Sequence, residues 1–361
     1  MLAVAVTSAY AQEVEAPSRR GPFAFHYALP LSDEALRWYS RFDLLVTHDP
    51  LPAEQVRRLH AAGTKLLLYE WAVAFYDSRA SKWQRSLVRR RHHGLLNDVP
   101  LTGHAGSPSA KAWYYDPAAA GFPAHRAADI ARRLHAIGYD GVFLDTTTVE
   151  NVHAEARQEY ERRHPETPYD VAFARFLRQL RRKLPHGVLF TNQGYRSAEN
   201  YLPYVDWDLT ESLITAPRDG AHRLRPWNDP GDPWNSIHFV LQTMIEPLAA
   251  RYPKVRFAHL NYIDGADNDA IRVAVATAQI FGGEAFVAAD DPSDEMDDVY
   301  FRDPGKPLGA RVDLAGGNVS YRLFEHGLIA VTAATEEVRI GDIVLPPTAG
   351  EPRAYFFTGP H

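Results

Sequence analysis

The chain has 361 residues, 45% of them apolar and 23% charged, with a net charge of −6, which suits one large soluble domain with a smaller one beside it. The acidic balance leaves no basic footprint for nucleic acid or an anionic membrane. With no cysteine, disulfides, zinc–thiolate centres and thiol nucleophiles are excluded.

Residues 2–11 are apolar and small and end in Ala9-Tyr10-Ala11, an A-x-A cleavage pattern without the usual basic stretch before it. Ten such residues are too short for a transmembrane segment, so the expectation is a signal-peptide remnant of a secreted or periplasmic protein, with a linker over 12–21. Strands and helices then alternate. Strand 23–28 precedes a helix over 33–41, which Ser32 caps and whose first turn carries Asp33 and Glu34. Strand 42–47 ends at His48-Asp49. Helix 52–62 stops at Gly63, and strand 65–69 runs into Glu70-Trp71. Residues 77–111 break the rhythm with Arg89-Arg90-Arg91, His92, His93 and a Gly/Ser/Pro stretch, and read as a long, partly helical insertion.

Trp113-Tyr114-Tyr115 leads to helix 124–137, with Gly138 suited to its C-cap. Val142-Phe143-Leu144 is continuously apolar, as in a parallel strand covered on both faces, and Asp145 follows. An unpaired carboxylate inside the core would cost several kcal/mol, so Asp145 is expected to face a polar cleft. Helix 169–184, strand 187–190, strand 206–210, a Pro/Gly/Trp-rich loop over 215–234, helix 236–251, strand 255–260, helix 268–281 and strand 285–288 complete the pattern. Eight strand-like runs with helices between them predict an α/β chain folded as a (β/α)8 TIM barrel over 22–298. No dinucleotide or P-loop fingerprint occurs. Short alternating runs between Gly and Pro turns from 299 onward predict a small C-terminal antiparallel β domain, packed on the barrel because it is too small to hold itself together.

In such barrels the C-terminal strand ends carry the chemistry. Here they supply His26, His48, Asp49, Glu70, Asp145, Asn192, Glu211, Asn261 and Asp290. Asp145 and Glu211, on the fourth and sixth strands, can face each other across the mouth. Two carboxyl groups so placed are what glycoside cleavage needs, one to protonate the leaving oxygen and one to attack or to activate water. Such a site also needs flat faces for sugar rings, for which Trp71, Trp113, Tyr114, Tyr115, Tyr195, Trp227, Trp234 and Tyr262 are candidates. Glu70, Asn192 and Asn261 are candidate polar contacts to substrate. Each of these positions also has a plain structural reading as a cap, loop anchor or packing group.

Gly138-Tyr-Asp-Gly-Val-Phe-Leu-Asp145 resembles the G-[FY]-D-G-[VI]-[FY]-L-D strand of the endo-α-1,4-polygalactosaminidase-like barrels, glycoside hydrolase family 114 and its relatives. Lys65-Leu-Leu-Leu-Tyr-Glu70 resembles their third strand, and Asp208-Leu-Thr-Glu211-Ser212 stands where they place a second acid. The resemblance covers about residues 23–290. It implies a hydrolase of an amino-sugar polysaccharide, with Asp145 as nucleophile and Glu211 as acid/base. The chain departs from that pattern in Thr146-Thr147-Thr148, in the 77–111 insertion and in the C-terminal β domain. A retaining pair would need Asp145 ionised and Glu211 with a raised pKa, with Trp207 and the Trp227 loop as apolar surroundings.

A metal-dependent hydrolase would need H-x-H on the first strand, where only His26 stands, or H-E-x-x-H, which is absent. No metal or cofactor is therefore expected, and the acidic run 290–298 reads as a solvated loop. The other class to weigh is a monomeric barrel that binds glycans in an envelope or exopolysaccharide assembly without cleaving them. A binding relic would be free to lose either acid, and both are present.

Overall fold

The computed structural model of the chain describes residues 18–27, 31–103 and 108–359. The apolar segment 2–11 lies outside them. Eight parallel strands follow one another in chain order: β1 (Gly21–His26), β2 (Phe42–Thr47), β3 (Lys65–Trp71), β4 (Gly141–Asp145), β5 (Val188–Asn192), β6 (Trp207–Glu211), β7 (Arg256–Ile263) and β8 (Glu284–Ala289). Helices between them cover the outside, and β1 comes back against β8, so the sheet is a nearly closed (β/α)8 barrel.

The barrel is filled with aromatic rings. Phe25 meets Phe143 at 4.9 Å, Phe143 meets Phe190 at 5.2 Å, and Phe190 meets Trp207 at 5.4 Å between centroids. These rings fix which strand positions face inward. Side chains alternate along a strand, so Asp145 and Asn192, two residues beyond Phe143 and Phe190, share their face. Glu211, four beyond Trp207, does too. The rings form a dry floor, and the polar side chains stand one layer above it at the open end.

The segment before Asp145 is specified residue by residue. Gly138 ends helix Phe122–Ile137 with φ 72°, a left-handed cap that glycine adopts without a Cβ clash. The Tyr139 hydroxyl accepts from the Leu51 amide (3.0 Å) and bonds the Thr47 hydroxyl (2.8 Å). Asp140 accepts from the Leu66 amide (2.8 Å). At Gly141 a Cβ would stand 2.1 Å from the Val188 carbonyl oxygen, so no larger residue fits between β3 and β5.

The ring is not sewn shut by a ladder: among the described residues no backbone pairing joins β1 to β8. On β8 the Val287 amide donates to the Tyr300 hydroxyl (3.1 Å) and the Ala289 amide to Glu295 Oε2 (3.0 Å). Glu295 Oε1 accepts from the Tyr39 hydroxyl at 2.6 Å, and that hydroxyl lies 3.3 Å from His26 Nδ1 on β1. Asp290, Asp291 and Asp298 of the acidic run are exposed, as expected, but Glu295 within it is 1% exposed. Burial pushes its carboxyl up to about 8 and holds the His26 imidazole down at about 4.

Several connections are more ordered than expected. A strand pair, Ala74–Tyr76 with Ala112–Tyr114, flanks the insertion, which holds a helix, Lys82–Arg89, that starts at a Ser81/Gln84 capping box. A helix at Ala154–Arg163 precedes the one at Tyr169–Lys183, and a hairpin, Thr215–Arg218 with Ala221–Leu224, occupies the loop after β6. The helix expected over 236–251 is broken by a π-turn at Leu241–Ile245, just before Pro247, which cannot donate the next helical bond.

Beyond the barrel, Val312–Leu314, Val319–Phe324, Gly327–Thr332 and Arg353–Thr358 form one antiparallel sheet, and Val338–Ile340 with Ile343–Leu345 a second small one. Phe324, Ile329 and Val331 join the barrel's own hydrophobic core. Arg311 lies 4.3 Å over the Phe281 ring and bonds Glu246 at 2.9 Å.

Candidate active site

Five consecutive strand ends carry one hydrogen-bonded chain of side chains. On β3 the Tyr69 hydroxyl donates to Asp145 Oδ2 on β4 at 2.5 Å. On β5 the Asn192 amide nitrogen donates to Asp145 Oδ1 at 2.8 Å and to Glu211 Oε2 on β6 at 2.9 Å. On β7 the Tyr262 hydroxyl donates to Glu211 Oε1 at 2.5 Å, and Tyr27, just past β1, adds its hydroxyl at 3.1 Å from that of Tyr262. The arrangement is symmetric about Asn192: amide in the middle, a carboxylate on each side, a phenol beyond each carboxylate.

Two bonds of 2.8 and 2.9 Å meeting at one nitrogen hold the nearest carboxylate oxygens within about 5.7 Å, and the ~120° spread of amide hydrogens brings them near ~5 Å. Both amide hydrogens are spent, so both carboxyl groups act as acceptors toward Asn192. Burial is the main cause that pushes the Asp145 carboxyl above the usual range, and the nearby Glu211 charge adds to it. Hydrogen bonds from Tyr69, Asn192 and the Thr146 amide oppose it by favouring the ionised form. Asp145, expected to be ionised, thus carries a raised carboxyl.

The residue after each of the three central groups is left-handed without being glycine: Thr146 at φ 52°, Gln193 at φ 63° and Ser212 at φ 57°. A β-branched threonine is rarely found there, and such residues cost of order 1–3 kcal/mol each. They turn the chain off the strand at once, which leaves Asp145, Asn192 and Glu211 as the last residues of their strands. Other groups hold these turns in place. The Thr147 hydroxyl donates to the Asn192 carbonyl (2.7 Å). The Asp208 carboxyl, pushed up to about 7 by burial, accepts from the Thr191 hydroxyl (2.7 Å) and the amides of Gly194 (2.8 Å) and Tyr195 (2.7 Å).

Facing the pair across the mouth is an aromatic wall. His48 stacks on Tyr69 at 4.0 Å and meets Tyr27 edge-on at 4.9 Å. Burial, then the Arg79 charge, hold the His48 imidazole at about 4. Trp71 lies 4.6 Å from Tyr76 of the insertion.

Among the residues singled out from sequence, Asp145, Asn192, Glu211 and Tyr262 come together and Trp71 lies beside them. Glu70 has the parity opposite to Tyr69 and is taken by Arg133 of helix Phe122–Ile137, and it lines the cavity beside β2, β3 and the insertion. Three others do not belong at the mouth. Tyr115 is 2% exposed, with Arg126 3.9 Å over its ring and Gln84 donating to its hydroxyl at 2.7 Å. Trp227 is fully buried and donates to the Gly317 carbonyl at 3.0 Å, so it joins the barrel to the C-terminal sheet. Asn261 is fully buried and accepts from the Ile214 amide at 2.7 Å, clamping the segment after Glu211. Tyr195 is anchored by its amide to Asp208, and its half-buried hydroxyl is engaged by Arg196. Trp113 and Tyr114 are buried, Trp207 belongs to the barrel floor, and Trp234 stands 64% exposed against the Phe239 edge. Tyr27, Tyr69 and Tyr76 were not singled out as site residues, and His48 only as one of the strand-end groups. Strand parity could have found Tyr69, because Glu70 and Tyr69 cannot both face inward.

Among the described residues no group of three or more His, Asp or Glu side chains is placed to hold a metal ion, and no helix is long and apolar enough to cross a membrane. No protein-family model and no curated protein sequence matches the chain. Solved structures do. The glycoside hydrolase domain of PelA from Pseudomonas aeruginosa is similar with a TM-score of 0.54 and 23% identity over 75% of this chain and 95% of that one. The cyclic alpha-maltosyl-(1→6)-maltose hydrolase from Arthrobacter globiformis is similar with a TM-score of 0.53 and 12% identity over 87% and 86% of the two chains. The chain has the TIM-barrel fold that these glycoside hydrolases share.

Proposed function

We propose that the protein is an exported glycoside hydrolase that cleaves an extracellular or cell-wall polysaccharide, rich in amino sugars, by a retaining mechanism. The observation that carries this reading is the single Asn192 nitrogen bonded to both Asp145 and Glu211. The spacing it enforces fits the ~5–5.5 Å of retaining pairs and falls short of the ~6.5–9.5 Å that leaves room for a water in inverting ones. In the first step the Asp145 carboxylate forms a bond to the anomeric carbon while the bond to the leaving oxygen breaks and Glu211 gives that oxygen its proton. In the second, water adds its oxygen to the anomeric carbon, its proton returns to Glu211, and Asp145 is released.

Hydrogen bonds from Tyr69, Asn192 and the Thr146 amide favour the ionised Asp145 that a nucleophile requires, against the burial that raises its carboxyl. The resemblance of 138–145 to the polygalactosaminidase-like strand supports the amino-sugar class, and the A-x-A segment at 9–11 supports export. Incubating the purified protein with α-1,4-polygalactosamine and other amino-sugar polymers should release reducing ends, and Asp145→Asn should not. An early product with inverted anomeric configuration would overturn retention. Release that survives Asp145→Asn would overturn the assignment of the pair.

A further inference from the structure

Among the described residues two cavities flank the carboxyl pair at the mouth. One, of about 320 Å³, lies between the ends of β2 and β3 and the insertion, and is lined by His48, Tyr69, Trp71, Tyr76, Arg79 and Ser81. The other, of about 360 Å³, lies between the ends of β7, β8 and β1, and is lined by His26, Tyr27, His222, Tyr262, Asp264 and Asp290. Each meets one half of the hydrogen-bonded chain. Tyr69, the donor to Asp145, lines the first, and Tyr262, the donor to Glu211, lines the second. Tyr27 and His48, in edge contact at 4.9 Å, stand between the two on the rim opposite the pair. A chain of sugars threading past the carboxyl groups therefore has one cavity ahead of it and one behind.

The chemistry fixes the direction. Resting on the retaining reading above, Asp145 bonds to the anomeric carbon and stays with the glycone, whereas Glu211 protonates the departing oxygen and so faces the aglycone. We infer that the substrate lies with its non-reducing part in the β2–β3–insertion cavity and its reducing part in the β7–β8–β1 cavity, so that Tyr76 and Arg79 select the glycone and His222 with Asp264 selects the leaving group. The linings differ accordingly. The glycone cavity offers the Trp71–Tyr76 aromatic pair at 4.6 Å and the exposed Arg79. The aglycone cavity has carboxylates at its rim, and Asp264 is tied to the His222 ring at 2.9 Å on the hairpin after β6.

The test is where the enzyme cuts. An α-1,4-linked galactosamine heptasaccharide carrying 18O at its reducing end is digested, and mass spectrometry reads which bond breaks first. His222→Ala weakens the aglycone side, so the preferred cut should move at least one residue toward the reducing end. Tyr76→Ala weakens the glycone side and should move it toward the non-reducing end. Asp290→Asn and Arg79→Ala repeat the two arms at exposed positions, should either of the first variants fold poorly. A merely structural loss slows all cuts alike and leaves their distribution unchanged, which would overturn the assignment, as would shifts in the opposite directions. A heptasaccharide that neither wild type nor any variant cuts would instead overturn the amino-sugar reading from which this substrate was chosen.

Discussion

Two networks of carboxyl and phenol groups sit at the same end of this barrel, and they are built to opposite purposes. In the arc from β3 to β7, Asp145 and Glu211 each take one tyrosine and one hydrogen of the same amide, and they open onto a cleft. In the seam between β8 and β1, Glu295 also takes one tyrosine and one amide, but it is buried and its amide is backbone. Asp145 and Glu211 are partly exposed and poised to react. Glu295 borders the β7–β8–β1 cavity but is 1% exposed, holds protein together and is pushed up to about 8. The difference lies in what surrounds the carboxyl.

The largest effects should come from the arc. Asp145→Ala and Glu211→Ala should each lower turnover by roughly 10³-fold or more with the melting temperature little changed. Azide should restore activity to one of them as a glycosyl azide, whose anomeric configuration tells which acid was lost. Unimpaired turnover in either would make the arc as structural as the seam.

Next is the bridge. Asn192→Ala leaves two carboxylates ~5 Å apart with no shared donor, and the like-charge pair should then share a proton, so the acid limb of the kcat/KM profile should move to higher pH as turnover falls by about 10²-fold. An unmoved limb would mean that the amide is only a spacer.

The seam is tested by stability. The Glu295 carboxyl has an ordinary pKa of 4.5 and is pushed up to about 8 when folded. Its contribution is therefore fully present below pH 4.5 and is lost as pH rises through about 8, a change of at most a few kcal/mol. Glu295→Gln should flatten the fall in melting temperature between pH 5 and pH 8.5 that wild type shows. Equal slopes in the two proteins would remove Glu295 from the balance. The smallest effects should be those of Tyr69→Phe and Tyr262→Phe, about tenfold each in turnover, because each removes one donor and leaves the other in place.

The barrel was legible because its strands are apolar runs between well-marked helices, and the 138–145 segment is constrained at nearly every residue. Asp145, Asn192 and Glu211 could be picked out as polar groups ending apolar strands. Parity was harder to read. A strand end offers two neighbouring residues, and Glu70 and Asn261 look as functional in a sequence as Tyr69 and Tyr262 do. What settles the choice is the aromatic floor, whose rings come from five different strands and meet only in three dimensions. Trp227 and Tyr115 were misplaced for a related reason. An aromatic residue in a long loop reads the same whether it lines a cleft or cements the loop to its support.

The side-chain seam has a consequence for how the barrel opens. A fully laddered barrel must break a row of backbone bonds to open, whereas here β8 faces β1 with its Val287 and Ala289 amides held by Tyr300 and Glu295. A chain that lost both side chains would leave buried amides unpaired, at about 1–3 kcal/mol each, and its barrel should open first along this line.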